Sequence, residues 1–241
     1  MDSEKGEDAG LRIAGLQKMT LLDYPGRVAC TVFTAGCNLR CPFCHNAPLV
    51  LPGQETPELS EEELLSFLDK RRGLLDGVAI TGGEPLLHAD IGAFLEKVRA
   101  LGYAVKLDTN GSFPDRLEEL IRAGLVDRVA MDVKNGPSRY AQTVGLPAPD
   151  MEAIGRSKEL LLRGAVDYEF RTTVVRGLHT RESLLEAARW IAGAKEYYLQ
   201  QYKDSGHVLD AAGLGSFSEA EMRALAAAVA EIVPAVQLRG V

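Results

Sequence analysis

From Val28 onward, short runs of strand character alternate with stretches of helical period, and this alternation restricts the chain to an α/β architecture with a parallel sheet. The strand runs are residues 28–34, 77–81, 104–108, 127–132, 168–175 and 197–201. Most of them read as continuous apolar stretches, the pattern of strands covered on both faces. Between them, Ser60 and Glu63 form a capping box ahead of a stripe of Leu64, Leu65, Phe67 and Leu68. A second helix carries Ile91, Phe94, Leu95 and Val98. A third begins at Pro114 and closes near Gly124. Further helices fit residues 152–163, 180–192 and 218–233, the last opened by a capping box of Ser218 and Glu221. Six βα units with right-handed crossovers follow. The 241 residues fall slightly short of a closed eight-unit barrel, which takes about 250. The reading is an α/β fold, a partial (β/α)6 barrel. Residues 11–241 form a single domain, because no Gly-, Ser- or Pro-rich linker divides them, and residues 1–10 form an acidic, flexible tail.

Charge and hydropathy narrow the function classes. Lysine and arginine number 27 against 34 aspartates and glutamates, a net −7, which argues against wrapping nucleic acid or lying on an anionic membrane. The apolar runs stop well short of the roughly 20 residues of a membrane span. The opening MDSEKGEDAG lacks the order of a secretory signal. A cytoplasmic chain with no nucleic-acid and no membrane partner is expected.

All four cysteines, Cys30, Cys37, Cys41 and Cys44, crowd into one short segment. A disulfide framework would spread its cysteines to close long loops, so metal or redox chemistry is the better reading. Cys37, Cys41 and Cys44 have the spacing C-x3-C-x2-C on the loop that follows the first strand run. Three thiolates there can converge on three irons of a cubane cluster and leave one iron open to a small molecule. Zinc sites and purely electron-carrying clusters normally need a fourth ligand. Cys30, in mid-strand, reads as a buried hydrophobe. His45 would be the fourth ligand in the zinc alternative. A zinc module and an electron carrier stand as the non-enzyme readings.

Polar residues gather at the same end of successive strands, where parallel α/β folds carry their sites. One strand ends in Thr81-Gly82-Gly83-Glu84-Pro85, where the glycine pair either lets a ligand approach the backbone or makes a tight turn. The next strands end in Lys106-Leu107-Asp108-Thr109-Asn110-Gly111 and Met131-Asp132-Val133-Lys134. Arg171 follows on the fifth, and Gln200 with Gln201 on the sixth. Two carboxylates, a lysine and an arginine at one barrel mouth suit an amino-acid-like zwitterion.

The cysteine loop, with Phe43 before its last cysteine and Gly-Gly-Glu after the second strand run, resembles the radical S-adenosylmethionine (SAM) superfamily. Within it, the chain is most similar to activating proteins of anaerobic ribonucleoside-triphosphate reductase, a glycyl-radical activase family. Gly15-Leu16-Gln17-Lys18, Asp23-Tyr24-Pro25-Gly26 and the strand-end motifs above carry that likeness. The resemblance implies a radical-SAM-type partial barrel and a [4Fe-4S] cluster on Cys37, Cys41 and Cys44. It implies S-adenosyl-L-methionine on the open iron, cleaved by one electron to methionine and a 5′-deoxyadenosyl radical. Gly82, Gly83 and Glu84 would meet the methionine amino group, and Phe43 would lie near the adenine. Asp108, Asp132 and Lys134 would surround the methionine carboxylate, with a monovalent cation held between the two aspartates in some relatives. Asn110, Arg171 and Gln200 complete the cofactor-binding set.

The implied substrate is a glycine of a partner glycyl-radical enzyme, an anaerobic ribonucleotide reductase, with a flavodoxin or ferredoxin as electron donor. Residues 47–59, 135–150 and 204–217 are read as long loops forming the docking surface, with Arg139, Tyr140, Lys203 and His207 as contacts. The inserted eight-cysteine domain of several glycyl-radical activases is missing, and Gln200 and Gln201 stand where some of them carry a histidine. The other enzyme reading is a radical SAM enzyme acting on a small molecule or peptide.

Overall fold

The computed structural model describes residues 11–50, 59–204, 206 and 208–241. One eight-stranded sheet runs in sequence order through β1 (Ile13–Thr20), β2 (Ala29–Thr34), β3 (Gly77–Gly82), β4 (Ala104–Thr109), β5 (Arg128–Asp132), β6 (Asp167–Val174), β7 (Tyr197–Gln201) and β8 (Val236–Arg239). β1 is antiparallel to β2, and β2 to β8 are parallel. β1 and β8 are the two edges and do not pair with each other, so the barrel is partial. The connections carry α1 (Ala47–Val50), α2 (Glu61–Asp69), α3 (Ile91–Ala100), α4 (Pro114–Arg122), α5 (Tyr140–Val144), α6 (Met151–Leu162), α7 (Arg181–Trp190) and α8 (Glu219–Ala230).

β2 to β7 fall within two residues of the six expected strands, and the capping boxes of Ser60 with Glu63 and Ser218 with Glu221 both form. Two strands go beyond the sequence reading. β1 exposes Gln17, Lys18 and Met19, and β8 is four residues long, so neither carries the apolar run that marked the others. The parallel strands therefore number seven rather than six. Residues 1–10 and His207 lie outside the described residues.

The continuous apolar pattern is a second correction. It holds for Val78, Ala79 and Ile80 in β3, but β4 and β6 alternate. Val105, Leu107, Val129, Met131, Phe170 and Leu199 turn outward into one apolar core with Leu64, Phe94, Leu117, Leu161 and Leu184 of the helices. The alternate residues turn inward and include Lys106, Asp108, Arg128, Asp132, Glu169 and Arg171. Lys106 Nζ lies 2.5 Å from Asp108, and Arg171 reaches both Asp108 and Asp132. Lower in the barrel, Glu169 is fully buried and takes Arg128 at 2.8 Å and the fork of Arg239 at 2.8 and 3.0 Å. Arg239 is the side chain by which the short strand β8 grips β6 across β7.

Burial alone would raise the Glu169 pKa, but its hydrogen bonds to Arg239 and Arg128 outweigh that and hold it at about 2. A carboxyl depressed this way stabilises the fold above its ordinary pKa near 4.5, and that contribution is lost as pH falls toward 2. Glu169→Gln is expected to cost on the order of 3 kcal/mol at pH 7, because it leaves two arginines short of their counter-charge. Urea unfolding across pH should show the gap from the parent narrowing as pH falls from about 4.5 toward 2. A gap independent of pH would contradict the assignment.

Candidate active site

The cysteine loop leaves β2 at Thr34 and turns at Gly36, whose φ of +86° needs glycine. Loops from four other strands hold it. Gly83 N–H donates to Thr34 O at 2.9 Å and Glu84 N–H to Gly36 O at 2.8 Å. Asn46 Nδ2 donates to Gly82 O at 2.9 Å. Asn110 Nδ2, after β4, donates to Asn38 Oδ1 at 2.9 Å. From the last residue of α5, Val144 O accepts Arg40 N–H at 2.9 Å, and the segment after β7 adds Asp210 N–H to Pro42 O at 2.9 Å. A Cβ on Gly82 would sit 2.4 Å from the Thr34 backbone, and one on Gly83 only 1.8 Å from Gly36 O. The glycine pair thus lets the cysteine loop's own backbone approach β3, which is the physical reason for glycine here.

Glu84 works in the same place. Its buried carboxylate accepts Leu86 N–H at 3.1 Å, Thr109 Oγ1–H at 2.8 Å and Asn110 N–H at 2.7 Å, tying the loop after β3 to the loop after β4. Burial outweighs these donors and pushes its pKa up to about 7. Burial also raises the three loop thiols, Cys41 to about 12, with Lys134 pulling each of them back. Cys30 is fully buried in β2 within the apolar core, as its mid-strand position predicts.

The wall opposite the cysteines is charged. Arg171 Nη1 donates to Asp108 Oδ2 at 3.0 Å and Nε to Asp132 Oδ1 at 3.0 Å, while Lys134 Nζ donates to Asp132 Oδ2 at 2.8 Å. Arg171 thus lies between the two aspartates. Burial would raise Asp132, but Arg171 and Lys134 hold it at about 2. The Arg171 fork is taken up by carboxylates, whereas Lys134 gives Asp132 one of its three ammonium donors. Lys134 is held from behind: His179 Nε2 donates to its carbonyl at 2.8 Å, and burial keeps that imidazole neutral by lowering its pKa to about 4.

The structure brings every residue of the expected site to one cavity: Cys37, Cys41, Phe43 and Cys44 on one side, Gly82, Gly83, Glu84 and Asn110 at the rim, and Asp108, Asp132, Lys134, Arg171 and Gln200 opposite. Gln200 lines the cavity, while Gln201 turns away to donate to Phe217 O. Asn46, Thr81 and Thr173 also line it and were not singled out from sequence. Thr173 had a signal, since it lies two residues beyond Arg171 and shares its inward face. Tyr140 is a correction. Instead of a docking contact in a loop, it is fully buried on α5, its ring packed edge-on to Trp190 at 5.9 Å. Arg139 is half-buried and donates to Leu178 O, while Lys203 is exposed.

Comparison with known proteins agrees with this geometry. The model of the radical SAM superfamily matches residues 31–191, and the chain belongs to that superfamily. A protein of Methanocaldococcus jannaschii, provisionally named a glycyl-radical enzyme activating enzyme, is 32% identical over 197 residues, 79% of this chain and 80% of its own length. The pyruvate formate-lyase-activating enzyme of Clostridium pasteurianum is 34% identical over 129 residues, so the chain spans about half of that relative, 52%. Among solved structures, Streptococcus suis SuiB bound to S-adenosylmethionine aligns over 85% of this chain and 48% of its own, with a TM-score of 0.66 at 15% identity. A domain of a pyruvate formate-lyase-activating enzyme from Bacteroides vulgatus covers 68% of this chain and 99% of its own, with a TM-score of 0.56 at 17% identity. These two likenesses speak to the fold. No helix among the described residues is long and apolar enough to cross a membrane.

The family implies a [4Fe-4S] cluster and S-adenosylmethionine, and the residues fit both. Among the described residues no group of three or more His, Cys, Asp or Glu side chains is gathered closely enough to hold a metal ion. Three thiols nonetheless face one cavity, with the unused donors of Lys134 across it.

Gly83→Ala is expected to push the cysteine loop off β3 and cost about 1–3 kcal/mol, together with iron uptake on anaerobic reconstitution. Gly155→Ala, on α6 with open space around the added methyl, should leave the melting temperature equal or raised. Equal stability of the two variants would contradict the close contact.

Proposed function

We propose that the chain is an activating enzyme that installs a glycyl radical on a partner protein. The supporting observation is the cavity that joins the three-cysteine loop to a lysine with ammonium donors to spare, within a fold whose relatives include named activating enzymes. Cys37, Cys41 and Cys44 hold the cluster. When bound and reduced, the cluster supplies the electron that cleaves SAM to methionine and a 5′-deoxyadenosyl radical, which takes a hydrogen atom from a glycine Cα. Lys134 pairs with the methionine carboxylate, and Asp108, Asp132 and Arg171 keep that lysine oriented and the barrel mouth charge-balanced. Phe43 flanks the adenine. Gly82, Gly83 and Glu84 would meet the methionine amino group, and Asn110 and Gln200 line the same cavity. Residues 11–241 act as one unit in this work.

The partner we assign is an anaerobic ribonucleotide reductase, with a flavodoxin or ferredoxin delivering the electron in the cytoplasm. This assignment draws on the sequence likeness of the motifs from Gly15 to Gly26 and at the strand ends.

Lys134→Ala is expected to weaken S-adenosylmethionine binding by about 1–3 kcal/mol in anaerobic calorimetry, by leaving the carboxylate without its cation. Unchanged affinity would remove Lys134 from the site. The activase reading is tested by mixing reduced enzyme and SAM with an anaerobic ribonucleotide reductase whose glycines are deuterated at Cα. The expected outcome is a glycyl signal in electron paramagnetic resonance on the partner and deuterium in 5′-deoxyadenosine. Rapid turnover of a small metabolite without any partner would instead support the small-molecule reading.

A further inference from the structure

Asn110 is the one side chain whose hydrogen bond reaches a cysteine sulfur among the described hydrogen bonds. Its Nδ2 lies 3.8 Å from Cys37 Sγ and 2.9 Å from Asn38 Oδ1, so its two amide hydrogens have two separate acceptors. Its orientation is fixed from the other end, because Asn110 Oδ1 accepts Ser112 N–H at 2.9 Å. A flipped amide would lose that bond and turn oxygen toward both the sulfur and Asn38 Oδ1, so the network sets which end faces the cysteine. The backbone is pinned as well: Asn110 N–H donates to buried Glu84 at 2.7 Å, and the residue is 5% exposed. Cys37 Sγ also receives Leu39 N–H at 3.4 Å.

We propose that Asn110 is a positioning residue for the cluster's electronics: its amide N–H, aimed at Cys37 Sγ, raises the reduction potential of the bound cluster. The inference rests on the reading that Cys37 is a cluster ligand. The physics is that of hydrogen bonds to cluster sulfurs. Reduction adds one electron and hence negative charge, part of which lies on the ligating sulfurs. A fixed N–H dipole pointing at such a sulfur in a buried site stabilises the reduced form more than the oxidised one. Within the loop, Leu39 supplies its donor through the main chain, which substitution leaves in place. Asn110 supplies the donor that can be removed.

The test is an anaerobic potentiometric titration of the reconstituted full-length protein, followed by electron paramagnetic resonance. One electron passes from dithionite, through mediators, to each cluster. Asn110→Ala is expected to lower the ratio of reduced to oxidised cluster at a fixed potential about tenfold, equivalent to about 59 mV for one electron. Asn110→Asp, equal in size but presenting a charged acceptor, should shift the potential further in the same direction. Asn38→Ala releases the amide from its second partner and should give a smaller shift of the same sign. Variants with full iron and sulfide at the parental potential would overturn the proposal. Should the Asn110 variants fail to hold a cluster, Asn38→Ala decides: a lowered potential supports the tuning role and a parental one overturns it. A parent protein that takes up no iron and sulfide overturns the cluster reading itself, an outcome distinct from an unshifted potential.

Discussion

Arg171, shared between Asp108 and Asp132, ties three successive strands together across the inside of the barrel. Ion pairs this enclosed are costly to desolvate and add little net stability over an apolar core, but losing one partner is severe. Their effect here is on register. Asp108 lies opposite Ala130, and Asp132 opposite Arg171. Sliding β6 by one residue would turn Arg171 outward into the helix-covered core and bring Phe170 or Thr172 into the charged interior. The interior ion pairs join Lys106, Arg128, Lys134, Arg171 and Arg239 to Asp108, Asp132, Glu169 and Glu196.

The cysteine loop depends on this scaffold through its neighbours rather than through its own sequence. Gly36, Arg40 and Pro42 are each bonded to a different strand's loop, and Glu84 joins two of those loops to one another. The loop is thus tied to the scaffold around it through its own backbone and the side chains of Asn38 and Asn46. This explains why Gly82 and Gly83 tolerate no side chain although nothing but backbone lies against them.

Much of this arrangement was legible in the amino-acid order, because β2 to β7 carry apolar outward residues whichever pattern is assumed, and the strand ends mark themselves with Asp108, Asp132 and Arg171. The pairing of those ends was hidden. Nothing along the chain says that Arg171 falls between two aspartates, since that follows from strand order and register. The backbone packed against the glycine pair, that of Thr34 and Gly36, lies far back in sequence and so leaves no local sign of why glycine is needed there. β1 and β8 lack the apolar run that marks the other strands, and α5 is too short to show the helical period that would take Tyr140 out of the docking loop. His179 behind Lys134 left no trace in sequence, being fixed only once the turn after β6 packs against the turn after β5.

The central claim is that Cys37, Cys41 and Cys44 and the charged wall across from them form a single cluster-and-cofactor site. Electron paramagnetic resonance of the anaerobically reconstituted, reduced protein, recorded with and without S-adenosylmethionine labelled with nitrogen-15 at the methionine amino group, examines it directly. The expected result is a [4Fe-4S] signal whose line shape changes on addition and which acquires a hyperfine coupling to the label. A cluster signal indifferent to S-adenosylmethionine, or a protein that loads zinc in place of iron and sulfide, would contradict it.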